Sequence, residues 1–278
     1  MFEILEKYYL GPKIQYALVK APLIARKAEA GQFVILRVNE KGKRFPLTIA
    51  DFDRDGGTIT LVFQEMGKST HLLGQLSAGD HIMNVLGPQG NPTEVEKFGR
   101  VVVVGGGIGV APVFPLARKL KEHGNEVTAI IGFRSKEHVF WEERMRSAAD
   151  RLLIATNDGS YGEKGFVTEV LARRLESGPA DRIFAIGPAV MMKAVADLTR
   201  PLGIKTIVSL NSMMVCGMGM CGACRATVDG KTRFTCLDGP DFDGHQVDFD
   251  ELISRLGTYR EEENVSFERW RKEAKHGN

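Results

Sequence analysis

Apolar residues fall in short, separated runs through the first hundred positions of this chain. Residues 15–19, 32–38, 58–64 and 81–86 each read as a strand. Turn-forming stretches at 51–57, 78–80 and 87–92 divide them. Several short strands at this spacing predict a barrel or sandwich over residues 1–97. The pattern then changes. Residues 101–104 are consecutive valines, as in a strand buried on both faces. A glycine cluster follows, and then an amphipathic helix at 111–123. Strands at 127–133, 152–156, 182–186 and 205–210 alternate with helices at 139–149, 166–176 and 189–199. That alternation predicts a parallel α/β sheet over residues 98–210. Residues 211–249 are glycine-rich and irregular, and the tail, 250–278, reads as charged helix at 250–256 and 267–275.

Composition narrows the class. The 278 residues are 43% hydrophobic and 26% charged, which is ordinary for a globular protein of about two domains. A net charge of +2 gives no field to recruit nucleic acid or an anionic membrane. The apolar runs fall well short of the ~20 residues that span a bilayer. The first ten residues include Glu3, Glu6 and Lys7, unlike a signal peptide. A soluble, cytoplasmic protein is expected.

The cysteines change the picture most. All four, Cys216, Cys221, Cys224 and Cys236, lie in one short segment, and the residues before it have none. Disulfides are disfavoured inside a cell, so the cluster points to a metal centre. The spacing is Cys-x4-Cys-x2-Cys with a fourth cysteine further on, the arrangement of plant-type [2Fe–2S] ferredoxins. Gly217, Gly219 and Gly222 between the first three let the backbone approach the sulfurs. Asp229-Gly230 predicts a hairpin that returns Cys236 to the others. A four-cysteine zinc site is the alternative, although zinc knuckles usually pair two close cysteines twice.

Gly105-Gly106-Gly107-Ile108-Gly109 follows the valine strand and opens a helix, the context of a nucleotide-binding turn. Pro112 takes the place of the third glycine in the Rossmann fingerprint. Arg134-Ser135 stand where an acidic ribose anchor would be. A tight turn that binds nothing is the other reading of this loop. Six histidines, His71, His81, His123, His138, His245 and His276, have no ligand-like spacing and read as surface or packing residues.

Together these segments resemble the ferredoxin reductase-like flavoproteins over nearly the whole chain, to about residue 250. The narrower resemblance is to the small subunit of NADH-dependent ferredoxin:NADP oxidoreductase and to the electron-transfer subunit of dihydroorotate dehydrogenase. It implies an antiparallel FAD-binding β-barrel, a parallel α/β domain for NAD(H), a [2Fe–2S] loop at 211–249 and a helical tail at a partner interface. Arg44-Phe45-Pro46-Leu47-Thr48 is similar to the family's Arg-x-Pro-x-Ser/Thr segment. The resemblance implies that Arg44 pairs with the FAD pyrophosphate and that Pro46, Leu47 and Thr48 meet the flavin. Gly67-Lys68-Ser69-Thr70 is similar to its second FAD segment, although alone it reads as a helix cap.

Gly106, Gly107, Ile108 and Gly109 resemble the nicotinamide-nucleotide loop. Arg134 is expected to face the adenosine, with Asn157 and Asp158 beside the nucleotide. Gly187, Pro188 and Met191 resemble the segment at the nicotinamide, with Ile186 in place of the family's cysteine. Cys216 stands where relatives in the oxidoreductase group often have aspartate. No residue is assigned as a catalytic acid or base. The implied chemistry is electron transfer from NADH through FAD and the cluster to a larger flavin and iron–sulfur subunit in a heterodimer. Ferredoxin and NADP would be reached through that partner. Service to a dihydroorotate dehydrogenase, a self-contained flavin reductase, and a zinc-stabilised nucleotide-binding module are the alternatives.

Overall fold

The computed structural model describes residues 1–276. Its first sheet has seven antiparallel strands: β1 Phe2–Gly11, β2 Ile14–Lys20, β3 Phe33–Arg37, β4 Phe45–Asp53, β5 Thr58–Gln64, β6 His81–Ile82 and β7 Asn84–Gln89. Two short helices, α1 (Pro22–Ala25) and α2 (Lys68–Gly74), lie in its connections. The order is β6-β1-β2-β5-β4-β3-β7. Its two ends are consecutive in the chain, so the sheet curls into a nearly closed barrel. The one strand expected at 81–86 is therefore two. The chain leaves β1 and joins β3 at Met83, whose N–H donates to Val38 O (3.1 Å).

Two strands lie outside the apolar pattern. Along β1 only Ile4 is buried; Glu3 and Glu6 face water, Lys7 donates to Leu73 O and Gly74 O, and the backbone pairs with β2 and β6. In β4 the strand continues through a bulge after Ile49 to Asp53, across the turn expected from residue 51. Asp51 is not a turn former here. It accepts from Arg118 at 2.8 Å.

The second sheet follows in chain order. It comprises β8 (Arg100–Gly106), α3 (Val110–Glu122), β9 (Glu126–Phe133), α4 (Glu142–Ala148), β10 (Arg151–Thr156), β11 (Glu163–Lys164), α5 (Val167–Glu176), β12 (Arg182–Ile186), α6 (Ala189–Thr199) and β13 (Thr206–Ser209). The hairpin β14 (Arg225–Val228) and β15 (Lys231–Phe234) comes next, then β16 (Asp241–Asp243), α7 (Phe249–Gly257) and α8 (Arg260–His276). The sheet order is β11-β10-β9-β8-β12-β13-β16, parallel except where β16 runs against β13. The segment expected to be irregular thus adds an edge strand to this sheet. Helix α4 starts later than expected because Phe140 and Trp141 pack edge-on against each other and against Phe133 and Phe114, with Trp141 at φ 57°. Helix α8 starts earlier than expected.

Strand β2 shows how the two sheets join. Ala17 and Val19 point into the barrel, while Ile14, Tyr16 and Leu18 alternate to the other side. That outer face shares one core with Val113, Phe114 and Ala117 of α3 and with Val101 and Val103 of β8. The opposite face of the parallel sheet packs against α5, α6 and α7 through Leu171, Val195 and Leu252. No described helix is long and apolar enough to cross a membrane.

Candidate functional site

The strand order of the second sheet reverses at β8, whose neighbours are β9 and β12. Ligands bind at such a switch point, beyond the carboxyl ends of the strands. The glycine loop after β8 and the Gly187-Pro188 turn after β12 meet there. A Cβ on Gly109 would stand 2.2 Å from Ile186 O, and one on Gly106 2.3 Å from Met191 Sδ. At Gly109 only glycine permits this approach, because the atoms in the way are backbone, whereas at Gly106 the Met191 side chain would have to move. A single 3-10 turn over Gly107–Gly109, with Gly107 at φ 55°, leads into α3.

A cavity of about 810 Å³ opens at this point, between the barrel and the parallel sheet. Of the residues singled out from the sequence, it gathers Pro46, Leu47 and Thr48 from β4, Gly106, Gly107, Ile108 and Gly109, then Arg134, Asn157, Gly187, Pro188 and Met191. Arg44 is exposed at the head of β4, outside the lining. Asp158 is also outside it, and its Oδ1 accepts from the N–H (3.0 Å) and hydroxyl (2.6 Å) of Ser160. Met66 lines the cavity, but the Gly67-Lys68-Ser69-Thr70 segment does not. The Thr70 hydroxyl is engaged locally: it accepts from Met66 N (3.0 Å) and Gly67 N (3.2 Å) and donates to Gly67 O (3.0 Å).

Several lining residues carried no sequence signal. Phe33, Gln64, Phe166, Asn211, Met214 and Pro240 converge from five separate segments, and only the tertiary fold brings them together. His138 also lines the cavity, held by Ser135 Oγ at 2.8 Å. Phe33 and Met214 matter most. They face the cavity and also pack with Ile35, Cys224 and Cys236 in one small core.

The cysteine loop is fixed on both sides of that core. Cys216, Cys224 and Cys236 are buried, at 4%, 1% and 3% exposure, and Cys221 faces solvent. Asp229 and Gly230 both take positive φ, 53° and 65°, so the hairpin closes on a two-residue turn as expected. Thr235 N–H and Oγ1 both donate to Cys224 O at 3.1 Å, which sets the two strands of the loop side by side. Arg255 of α7 reaches Ala223 O at 3.4 Å.

Backbone amides aim at the sulfurs. Gly219 N–H donates to Cys236 Sγ (3.1 Å), and Cys221 N–H and Met218 N–H donate to Cys216 Sγ (3.4 and 3.5 Å). Burial opposes the Cys216 thiolate, but these amides outweigh it and bring the thiol down to about 6. Burial, with Cys224 beside it, pushes Cys236 up to about 12. Cationic metal between the thiols would draw off both protons. Among the described residues no three His, Cys, Asp or Glu side chains close on a point as one metal ion requires. Cys224 Sγ lies 3.1 Å from Cys236 Sγ, and Cys216 and Cys221 share a side-chain hydrogen bond. A binuclear cluster takes two thiolates on each iron, so this donor set fits a [2Fe–2S] group better than a single zinc ion.

Known proteins share this arrangement. The iron–sulfur cluster binding domain of dihydroorotate dehydrogenase B matches residues 211–248. An oxidoreductase NAD-binding domain matches residues 103–197. A Thermotoga maritima protein described as a homolog of the dihydroorotate dehydrogenase B (NAD(+)) electron transfer subunit is 43% identical over 272 residues, 98% of this chain and 96% of its own. The electron transfer subunit from Streptococcus mutans is 35% identical over 250 residues, 87% of this chain and 95% of its own. A solved chain from the NADH-dependent reduced ferredoxin-NADP oxidoreductase, studied for flavin-based electron bifurcation, superposes with a TM-score of 0.92 at 42% identity. It covers 97% of this chain and 98% of its own length. The chain belongs to the family of dihydroorotate dehydrogenase B electron transfer subunits and their homologues.

Proposed function

We propose that this chain is the electron-transfer subunit of an NADH-dependent ferredoxin:NADP oxidoreductase. One observation carries the reading. A single cavity is lined by the barrel segment Pro46-Leu47-Thr48, by the glycine loop with Gly187-Pro188, and by Met214 and Pro240 from the cysteine-bearing segment. Three cofactor-type segments share one wall, as a relay from a two-electron donor to a one-electron carrier needs. The backbone likeness to the solved bifurcating oxidoreductase chain, at a TM-score of 0.92 and 42% identity, favours that reading, since the dihydroorotate dehydrogenase B electron transfer subunit of Streptococcus mutans is 35% identical and matches 87% of this chain.

In this reading residues 1–97 hold FAD, through Arg44, Pro46, Leu47, Thr48, Gly67, Lys68, Ser69 and Thr70. Residues 98–210 hold NADH, through Gly106, Gly107, Ile108, Gly109, Arg134, Asn157, Asp158, Gly187, Pro188 and Met191. Cys216, Cys221, Cys224 and Cys236 ligate the cluster within 211–249, and 250–278 contributes to the partner interface. When bound, the flavin supplies hydride acceptance and the cluster supplies single-electron carriage. The protein supplies position and dryness. Gly106 and Gly109 keep the β8 and β12 loops in contact, so these loops would hold a nicotinamide across the cavity from the barrel wall that includes Thr48. Phe33 and Met214 fill the space between the cavity and Cys224, which keeps water out of the path between them.

The partner is a larger flavin and iron–sulfur subunit, through which ferredoxin and NADP are reached. Exposed Val215, Met218, Met220 and Leu237 ring the cysteine loop and suit an apolar docking face. Four unpaired thiols suit a reducing, cytoplasmic compartment. The test is anaerobic purification with any co-purifying subunit, then absorption spectroscopy and NADH titration. Flavin and iron–sulfur bands that bleach with NADH are expected. A colourless, zinc-containing protein would overturn the reading. Full-rate reduction of ferredoxin and NADP by this chain alone would overturn its subunit role. A co-purifying dihydroorotate-oxidising subunit would select the other member of the family.

A further inference from the structure

NADH gives up a hydride, which is two electrons and one proton, whereas an iron–sulfur centre takes electrons alone. Oxidation of NADH to NAD⁺ through such a centre therefore leaves one proton behind for every two electrons that depart. The large cavity offers that proton few acceptors. Among the described residues, Arg134 and His138 are the only titratable side chains in its wall. Arg134 keeps its own proton. His138 lies on the nucleotide side, in the turn after β9, with Ser135 Oγ 2.8 Å and Glu137 Oε1 3.7 Å from its Nδ1. One carboxyl stands just behind the wall. Ser209 and Pro240 line the cavity, and Asp241 follows Pro240 and lies directly opposite Ser209 where β13 pairs with β16. Opposed residues of this kind project from one face, about 4.5–5.5 Å apart. The Ser209 hydroxyl bears on the Asp241 carboxyl. Asp241 Oδ2 accepts from Thr93 Oγ1 at 2.5 Å, while Oδ1 is shielded from water and has no hydrogen-bond partner among the described residues.

We propose that Asp241 receives the proton left behind by NADH, through the Ser209 hydroxyl, and passes it to solvent. The proposal rests on the NADH-to-cluster reading above. In the step, Ser209 Oγ takes up the cavity proton and gives its own to Asp241 Oδ1. One O–H bond forms and one breaks at the serine, and one forms at the carboxyl. The two electrons leave singly by the cluster, and loss of the proton to water returns Asp241 to its carboxylate. The surroundings suit this role. No charged side chain among the described residues contributes to the shift of this carboxyl: Thr93 faces it from the segment after the barrel and Ser209 from β13. Along β16, Asp243 Oδ1 is engaged by His245 N at 2.9 Å. Burial raises the group above the ordinary 3.8, toward the range where a carboxylate accepts protons near neutral pH. The place is also apt. Asn91 donates from Nδ2 to Leu237 O (3.0 Å) and from its N–H to Gly239 O (2.7 Å), so the strap that ends at Thr93 holds both Asp241 and the residue after Cys236. The proton site and the electron exit thus share one segment.

The experiment mixes the anaerobic holoprotein with NADH in weak buffer and follows proton appearance with an indicator dye, in wild type, Asp241→Asn, Ser209→Ala and His138→Gln. Proton release is expected to slow about tenfold or more in Asp241→Asn and Ser209→Ala, and to stay within about twofold in His138→Gln. Time-resolved infrared spectra supply a second readout. Wild type should show a transient C=O stretch of a protonated carboxyl, delayed in Ser209→Ala and missing in Asp241→Asn. An aspartate with a structural role alone would give no such band. Unchanged NADH affinity and visible absorbance show that each variant is folded, and Ser209→Ala carries the test should Asp241→Asn fail to fold. Proton release at the wild-type rate in Asp241→Asn or in Ser209→Ala, a carboxyl band that persists in Asp241→Asn, or a delay confined to His138→Gln would overturn the proposal. Wild type whose absorbance NADH does not bleach would instead sink the relay reading itself.

Discussion

Asp241 lies between the barrel and the edge of the parallel sheet, half-buried as a residue but with its Oδ1 shielded from water. Thr93 Oγ1 donates to its Oδ2 at 2.5 Å. Burial pushes its carboxyl above the ordinary 3.8, and the hydroxyls of Thr93 and Ser209 pull only partly the other way. The sign of the pH effect follows. Below 3.8 both the folded and unfolded forms are protonated, and the contribution of this group is complete. As pH rises toward the raised folded value, the fold keeps a proton that the unfolded chain has released, so stability falls. Asp241→Asn removes that slope. Urea unfolding between about pH 4 and pH 7 is expected to show a smaller decline in the variant than in wild type. A buried acid of this kind has no signature in sequence, because Asp241 follows Pro240 in a stretch that reads as a turn. The cysteines were legible because their spacing is itself the ligand geometry. Phe33 and Met214 were not, since nothing local marks an apolar residue as facing a cavity.

At the scale of elements, two glycines of the cysteine segment separate strain from crowding. Gly217 and Gly230 both have positive φ, 73° and 65°. Nothing lies within 4 Å of a Cβ built on Gly230, whereas one on Gly217 would stand 2.6 Å from Ile35 Cγ1 in strand β3. Alanine at either position carries the left-handed penalty of about 1–2 kcal/mol. Only Gly217→Ala also forces the loop off the barrel. Gly217→Ala is therefore expected to lose iron, measured by metal analysis and visible absorbance, while Gly230→Ala keeps it at modestly lower thermal stability. Equal iron content in the two would show that the contact with Ile35 does not position the loop. Regular elements with a buried stripe, such as α3, α5 and α6, were readable from periodicity. Strands β1, β11 and β16 were not. Their side chains are mostly exposed or half-buried, and backbone pairing with a neighbour is what makes them strands.

Over the whole molecule, the cavity exists only because the barrel and the parallel sheet are held in one relation. Phe114 of α3 is the centre of that contact. It is buried in the core shared by Ile14, Tyr16, Ala50 and Val62 of the barrel, and its ring meets Trp141 at 5.6 Å. The guanidinium groups of Arg118 and Arg144 lie 5.1 and 5.3 Å from its ring centre. Both also reach Asp51 of β4, at 2.8 and 3.7 Å. These ion pairs are a third or more exposed on the arginine side, so each is worth at most about 1 kcal/mol. The apolar contact is larger. Phe114→Ala is expected to cost about 3–5 kcal/mol. Because the core is continuous across both sheets, urea unfolding should stay a single transition with a lower midpoint, rather than splitting into a barrel step and an α/β step. The same loosening bears on chemistry. NADH binds mainly to the loops after β8 and β12 in the proposed reading, but its reacting carbon must be held against the barrel. Displacements near 1 Å can slow a positioned reaction by about 100-fold. Stopped-flow measurement at a temperature where Phe114→Ala is folded should show flavin reduction slowed more than NADH affinity is weakened. Equal losses in both would mean that the two sheets hold their relation without this side chain.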